Sequence, residues 1–440
     1  MAKKLWGGRF KKETDKDFFS FQKSIHYDYR LAEFDLYHSR IHVEALKIAG
    51  FLTAAEAKKL DAALAQILKD VKSGKFKFDP ASEDIHTDIH NKVEKKAGNL
   101  AHKLHTLRSR NDQIAFDEKW YCLKSADEIL KLLFKVSASL SSLSKKYGKS
   151  IIPGYTHTQR AQKISFKDYV GAFMKTLART ESKLEAFKKN SVLQLGAGAL
   201  AGNTLLESGA YTKAIKAFLK KDKKAFKGIA IKASENTLDQ VSNRDFVIEL
   251  LSLLSILQMH LSRLAEDLIL YSTSEFHFIE LPEEFCTGSS LMPHKKNPDF
   301  LELVRGYTGQ VNGNLVSLLT TMKGLPLTYN RDMQLDKEPL FSSVEIVKSE
   351  LALLAKMLLG IKLNAWAIHN SLSDESLYAV PLAEYLVKNG VPFKDAHTII
   401  GKLIGHKLDK NIAIRSMSDR ELKKFHPKLN KVTVNKIIKI

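Results

Sequence analysis

Apolar residues recur at spacings of three and four along most of the chain, which is the period of an amphipathic helix. The clearest example starts with the capping-box pair Thr53 and Glu56 and is followed by Gly74, a residue type that favours helix ends. The apolar positions between these signals are Leu60, Leu64, Ile67, Leu68 and Val71. The pattern therefore predicts one complete helix, from its cap to its terminating glycine.

The most apolar segment follows a second cap signal, which runs from Ser242 to Asp245. Residues 246–271 make about 26 helical residues, or about 40 Å of helix at 1.5 Å per residue. The middle of this segment is apolar nearly all round, so it needs cover on several sides. It predicts the centre of a helix bundle or a subunit interface.

Long helical patterns dominate the rest of the chain, and strand-like alternation is scarce. The further helical patterns cover 114–147, 166–190, 301–322 and 340–359, and short strand-like pieces lie at 162–164 and 227–232. Proline, which breaks helices, is absent between Pro80 and Pro153 and between Pro153 and Pro282. The predicted fold class is mainly α, with a central bundle of long helices.

Breaks in composition divide the chain into three predicted parts. Residues 1–112 form an N-terminal helical domain that ends at a polar loop, and residues 113–360 carry the long helices. Residues 361–440 form a small C-terminal helical domain, in which glycine and proline separate shorter helices.

Composition narrows the class of protein. The chain has 440 residues, of which 44% are apolar and 27% charged, as in soluble globular proteins. Cys122 and Cys286 are its two cysteines, which excludes a disulfide framework and a Cys-rich zinc site and favours a reducing, cytoplasmic location. No signal-peptide pattern follows the basic N-terminus, and no stretch approaches eighteen uncharged apolar residues, so a membrane protein is not expected.

The net charge of +20 raises the alternative of a nucleic-acid partner. The lysines, however, fall as pairs on many polar helix faces, among them Lys58 and Lys59, and Lys188 and Lys189. They do not gather into one patch interleaved with aromatic residues. This distribution favours a solvated basic surface over a specific nucleic-acid site.

The segment 287–302 holds the strongest candidate chemistry. A Gly-Ser-Ser turn with Ser289 leaves backbone N–H groups free for an anion, and Lys295 and Asn297 supply further donors close by. A carboxylate ligand fits this set, and the alternative is a flexible surface loop.

Three other polar segments carry chemistry-bearing residues. His157, in the segment 154–160, is of the type that serves as an acid or base near neutral pH, although a structural histidine is the commoner case. Arg108 and Arg110 precede a helix whose N-terminus favours a carboxylate, or they simply face solvent. The polar loop 329–338 by itself reads as surface.

Other signals fail. The glycines of 196–202 lack the GxGxxG spacing and a preceding strand, so a dinucleotide site is not expected. His86 and His90 stand four residues apart, but no third ligand accompanies them, so no metal site is expected.

The polar segments together resemble the fumarase/aspartase superfamily and, within it, the argininosuccinate lyase family. The superfamily signature is GSSLMPHKKNPDFLE, residues 288–302. Motifs that narrow the resemblance are LWGGRF (5–10), SEDIH (82–86), KLHTLRSRNDQ (103–113), GYTHTQRAQ (154–162), GALAG (198–202), YNRDMQLDKEPLF (329–341) and VPFKDAHTIIGKL (391–403). The resemblance therefore covers nearly the whole chain.

This resemblance implies a homotetramer with a tetrameric helical core, and active sites that segments of three subunits share. It implies cleavage of argininosuccinate to arginine and fumarate in the cytoplasm, for arginine biosynthesis, with no metal or organic cofactor. Fumarate-releasing sister lyases and non-catalytic structural homologues are the alternatives.

Motif by motif, the resemblance also implies roles for individual residues. Ser289 corresponds to the base that removes a proton from carbon, and His157 to the acid that protonates the departing nitrogen. Glu302 pairs with that histidine, while Lys295 and Asn297 hold the substrate carboxylates. The remaining substrate-contact positions are Ser24, Arg110, Asn111, Thr156, Tyr329, Gln334 and Lys337.

Three positions depart from the family pattern. Leu107 stands where the family usually has glycine before Arg108, which restricts the turn. Asn243 replaces a usual aspartate, and residues 205–208 lack the usual Pro-x-Asp-Arg. None of the implied proton-transfer residues is altered, so an active enzyme is predicted.

Overall fold

A computed structural model describes residues 11–438 of the chain. The LWGGRF motif at 5–10 lies outside the described residues. The α-helices are α1 Lys16–Phe21, α2 Ile25–Asp28, α3 Ala32–Ile48, α4 Ala54–Lys72, α5 Ile85–Ala97, α6 Arg110–Tyr147, α7 Phe166–Asn190, α8 Ser208–Lys221, α9 Thr237–Ser242, α10 Asp245–Ser272, α11 Asp299–Met322, α12 Lys337–Gly360, α13 Ala365–Leu372, α14 Ala379–Lys388, α15 Phe393–Lys410, α16 Asp419–Lys423 and α17 Lys431–Ile437.

Six short strands form three pairs within the described residues. They are β1 Ile151–Thr156 with β2 Gln159–Ser165, β3 Val192–Leu195 with β4 Ala230–Ala233, and β5 Ile279–Glu280 with β6 Lys362–Leu363. The β3–β4 pair is parallel and the other two are antiparallel. The mainly α class is thus confirmed, as are the strand predictions at 162–164 and 227–232, which overlap β2 and β4.

The chain separates into two compact units. The described residues of the first unit are 11–133, 179–259 and 306–351, and those of the second unit are 134–178, 260–305 and 352–438. These ranges do not follow the three predicted parts, and the boundaries at 112 and 360 stay a prediction. A contiguous apolar core built from 377–438 is consistent with the third part.

In the first unit, α3 packs against α4 and α8. The capping box of α4 is present as predicted, with the Thr53 hydroxyl accepting from the Glu56 N–H and the Glu56 carboxylate accepting from the Thr53 N–H. Aromatic rings fill the core beside α3, where Trp120 stacks on Phe226 with ring centroids 4.2 Å apart. These contacts anchor the start of α6, which carries two of the predicted site residues.

The apolar helix predicted at 246–271 is α10. Among the described residues it is the one helix long and apolar enough to cross a membrane, and half of its most apolar window is buried inside the chain. A core helix of a soluble protein has the same length and composition, so this single helix is weak support for a membrane span.

A buried carboxylate on α12 makes the stability of the chain depend on pH. Burial raises the pKa of Glu350 from 4.5 to about 8, and a hydrogen bond from Gln258 opposes the shift. Between these two pH values the folded chain keeps a proton that the unfolded chain releases, so stability falls as the pH rises through this window. The variant Glu350→Gln has no carboxylate to ionise. We expect it to match the wild type near pH 4.5 and to exceed it above pH 8, as measured by urea unfolding at both values.

The matched control for that experiment is Glu345→Gln on the same helix, whose side chain is exposed. Its stability relative to the wild type should be the same at both pH values. A Glu350→Gln protein without a pH-dependent gain would contradict the burial argument.

Candidate active site

The loop 287–298 precedes α11 and is closed at its base by two backbone hydrogen bonds between Thr287 and Asn297, of 3.1 and 2.8 Å. Inside the loop, the Ser289 Oγ accepts hydrogen bonds from the N–H groups of Leu291 (3.3 Å) and Met292 (3.0 Å). Two amide dipoles aimed at one oxygen favour its negative form. The turn therefore supplies the backbone donors that a serine base needs.

A cavity of about 760 Å³ lies beside this loop in the second unit. Lys295, Asn297 and Glu302 are among its lining residues. Of the two adjacent lysines, Lys296 donates to the Leu281 carbonyl at 2.7 Å, whereas Lys295 is exposed and forms no ion pair with any described residue. Lys295 is thus the lysine that remains available to a ligand carboxylate.

The hairpin β1–β2 carries His157 and Thr158 at its two-residue tip. Their φ angles are +54° and +57°, the left-handed pair that a tight hairpin turn of this length requires. Gly154 lies on β1 opposite Gln162, where a Cβ would lie only 3.0 Å from the Gln162 carbonyl oxygen. The turn leaves Thr156 and His157 exposed.

Glu302 lies in the first turn of α11 and is exposed. Its carboxylate lies 3.9 Å from Arg305, which also pairs with Glu266 at 2.6 Å. Among residues 11–438, no hydrogen bond or ion pair joins Glu302 to His157 within one chain, and the predicted pairing of these residues stays a prediction.

Ser24 and Arg110 lie in the first unit, around two buried carboxylates. The Ser24 hydroxyl donates to Asp28 at 2.7 Å, and the Arg110 guanidinium lies 2.5 Å from Asp84. Burial, together with Asp84, raises the pKa of Asp28 to about 6. Sequence reasoning missed both carboxylates as site candidates, although Asp84 belongs to the SEDIH motif.

Of the other predicted contacts of the first unit, Asn111 lies at the start of α6, and Tyr329 and Gln334 lie shortly before α12. Asn111 donates to the Ala199 carbonyl at 3.0 Å, within the GALAG motif. Gln334 donates to the Gln22 carbonyl at 3.0 Å and also bonds to the phenol of Tyr27, whose pKa burial raises to about 12. Burial likewise raises the pKa of Tyr329. Tyr27 is a further residue that the motifs did not single out.

Lys337 is buried at the start of α12, in a cluster with Glu118, Arg244 and Asp336. Its Nζ lies 2.6 Å from Asp336 Oδ1.

The departure at Asn243 leaves the start of α10 intact, because the Asn243 Oδ1 accepts a hydrogen bond from the Asp245 N–H at 2.9 Å.

One group in the described part of the chain brings three metal-ligand side chains together. Ligand atoms of Asp35, His86 and Asp117 lie within 4.8 Å of one another. The His86 Nδ1 lies 3.4 Å from Asp35 and 3.9 Å from Asp117. Despite burial, which raises it, the pKa of Asp35 is lowered by His86 and then by the guanidinium of Arg108. The guanidinium of Arg108 is therefore near enough to act on this cluster electrostatically.

Comparison with known proteins identifies the family. A family model described as Lyase matches residues 8–313, and one described as Argininosuccinate lyase C-terminal matches residues 376–440. The argininosuccinate lyase of Carboxydothermus hydrogenoformans is 42% identical over 425 residues, which are 96% of this chain and 91% of that protein. The chain belongs to the argininosuccinate lyase family.

Further similarities agree with this assignment. The argininosuccinate lyase of Thermoanaerobacter pseudethanolicus is 43% identical over 423 residues, 96% of this chain and 92% of that protein. Two solved structures share the fold, each with a TM-score of 0.77. One is a fumarate lyase:delta crystallin from Brucella melitensis bound to cobalt, at 20% identity, covering 95% of this chain and 91% of that one. The other is a class II fumarase from Schistosoma mansoni, at 16% identity, covering 93% and 89%.

Leu107, one of the three departures from the argininosuccinate lyase family pattern, has an unusual backbone conformation. Its φ is +60°, a left-handed conformation that costs a residue with a Cβ about 1–2 kcal/mol. We expect Leu107→Gly to be more stable than Leu107→Ala by about 1 kcal/mol, the reverse of the usual order of these residues. Both variants lose the leucine side chain, so the comparison isolates the backbone. Urea midpoints of the two proteins measure the difference, and an alanine variant as stable as the glycine variant would contradict it.

Proposed function

We propose that this member of the family cleaves argininosuccinate to arginine and fumarate by β-elimination. The observation that carries the proposal is the environment of the Ser289 hydroxyl. Its oxygen accepts hydrogen bonds from two backbone N–H groups, and a cavity lined by Lys295, Asn297 and Glu302 lies beside its loop. In the proposed reaction, Ser289 takes the proton from the carbon beside the succinyl carboxylate. The carbon–nitrogen bond then breaks, and His157 donates a proton to the departing guanidino nitrogen.

Electrostatics decides whether this proton transfer is feasible. A carbon next to a carboxylate is weakly acidic, and its deprotonation builds a second negative charge on the same carboxylate. Lys295 and Asn297 are the side chains placed to hold that carboxylate and to stabilise the added charge. In the same way, the backbone amides of Leu291 and Met292 stabilise negative charge on the Ser289 oxygen. The site needs no metal for these steps.

The assembly we propose is a cytoplasmic homotetramer in which neighbouring chains complete each site. Apolar side chains exposed on the long helices support this assembly: Phe134 on α6, Leu303, Val316 and Leu319 on α11, and Leu359 on α12. The absence of a hydrogen bond or ion pair between His157 and Glu302 within the described residues of one chain is consistent with it. In the tetramer, His157 of one chain pairs with Glu302 of another.

The substrate contacts we propose follow the motif positions. They are Ser24, Arg110, Asn111, Thr156, Asn297, Tyr329, Gln334 and Lys337. The three-part division of the chain at 112 and 360 belongs to the same proposal, with 113–360 forming the tetrameric core.

Ultraviolet detection of fumarate tests the function directly. The purified protein is mixed with argininosuccinate, and in parallel with adenylosuccinate, aspartate and malate. Fumarate from argininosuccinate alone is the expected result. Fumarate from another of these substrates would place the chain with a sister lyase, and no turnover by a folded tetramer would favour a structural homologue.

A further inference from the structure

Four charged side chains are buried together in the first unit. Glu118 and Asp336 supply the negative charges, Arg244 and Lys337 the positive ones, and each residue is at most 3% exposed. Asp336 divides its carboxylate between the two cations. Its Oδ2 lies 2.6 Å from Arg244 Nε, and its Oδ1 lies 2.6 Å from Lys337 Nζ. The position of the lysine ammonium is therefore tied to that of the arginine.

The four residues come from three separate parts of the chain. Arg244 immediately precedes α10, and its Nη1 donates to the Asn243 carbonyl at 2.8 Å. Asp336 ends a short 3₁₀ helix, Arg331–Asp336, and α12 starts with Lys337. Glu118 comes from the beginning of α6, with its Oε2 3.2 Å from Arg244 Nε and 4.0 Å from Lys337 Nζ. The Lys337 ammonium thus contacts Asp336, which Arg244 holds, and Arg244 is in turn close to Glu118.

The charged groups of this cluster shift one another's pKa values. Burial and the neighbouring Asp336 raise the pKa of Glu118 to about 8, while the two cations hold the pKa of Asp336 below its usual range. Against its own burial, Lys337 stays protonated because Asp336 and Glu118 raise its pKa. Lys337 therefore carries the positive charge that a substrate carboxylate requires.

We propose that Asp336, fixed by Arg244 and supported by Glu118, is a positioning residue that aims the Lys337 ammonium at a carboxylate of the substrate. This inference rests on the proposed function, in which Lys337 contacts the substrate. A carboxylate far from the bond that breaks is held equally in the ground state and in the transition state. Loss of such a contact raises KM and leaves kcat unchanged.

The test is a double-mutant cycle read in both kinetic constants. Argininosuccinate is titrated against the wild type, Asp336→Asn, Lys337→Met and the double variant, with fumarate absorbance as the signal. We expect Asp336→Asn to raise KM at least about tenfold and to change kcat by less than about threefold. The KM of the double variant should equal that of Lys337→Met, because Asp336 acts through the lysine.

A matched control is Glu350→Gln, which alters another buried carboxylate on α12 outside the cluster and should leave KM unchanged. A folded Asp336→Asn enzyme with normal KM, or effects on KM that multiply in the double variant, would overturn the proposal. If Asp336→Asn does not fold, Arg244→Lys takes its place in the cycle with the same two readings. A wild-type protein without turnover would instead refute the proposed function, so the two failures are distinguishable.

Discussion

Replacing Ser289 by alanine is expected to lower kcat at least about a hundredfold, the low end of the range for lost acid–base catalysis. The Ser289 Oγ is the oxygen that accepts the Leu291 and Met292 amides, and alanine leaves no group there to take the proton from carbon. The loop is exposed, so water satisfies the freed amides and the fold should be kept. Steady-state fumarate production, with circular dichroism to verify folding, measures the effect.

The neighbouring hydroxyl provides the control. Ser290 is exposed, and within 11–438 its side chain makes no hydrogen bond, so Ser290→Ala should stay within about threefold of the wild type. A large loss in Ser290→Ala together with a small loss in Ser289→Ala would assign the base to Ser290.

Removing Arg244 is expected to have the largest effect on stability. Arg244→Met leaves Asp336 and Glu118 buried with Lys337 as their one remaining cation in the cluster. Removing one partner of a buried ion pair costs about 3–5 kcal/mol, here because the Asp336 oxygen that Arg244 contacts is left buried without its donor. Urea unfolding at a fixed protein concentration measures this loss, and the concentration must be fixed because assembly contributes to stability.

An exposed ion pair gives the comparison. Lys131 lies 2.6 Å from Asp127 on α6, and its side chain is 70% exposed. Like Arg244→Met, Lys131→Met replaces one positively charged side chain with methionine. The expected loss in the free energy of unfolding is below about 1 kcal/mol. Equal losses in the two variants would show that burial does not set the strength of the Arg244 cluster.

The period of apolar residues and the helix caps allowed much of the fold to be predicted from the sequence. The capping box at Thr53 and the apolar run after Ser242 depend on contacts within one helix, so α4 and α10 were predicted near their observed positions. Strand β1 was missed because Pro153 and Gly154 interrupt its alternation. It becomes a strand through its pairing with β2, which is a contact between segments.

The candidate site shows the same division. Its reactive residue types could be named from short motifs, because a serine, a lysine and an asparagine in one loop are neighbours along the chain. Asp28, Tyr27 and Glu118 carry no such local signal. Their roles arise from burial and from partners such as Ser24, Gln334 and Arg244, most of which lie far away in sequence.

By itself, the sequence determined the helical class, the family motifs and the residue types that the proposed chemistry needs, because each of these is written in a local pattern. Only the tertiary structure decided that β1 pairs with β2 and so places His157 in the turn between them, and that Asp336 shares its carboxylate between Lys337 and the distant Arg244. The reason is physical. Hydrogen-bond geometry, backbone conformation and desolvation depend on how distant segments pack, and no local pattern records that packing.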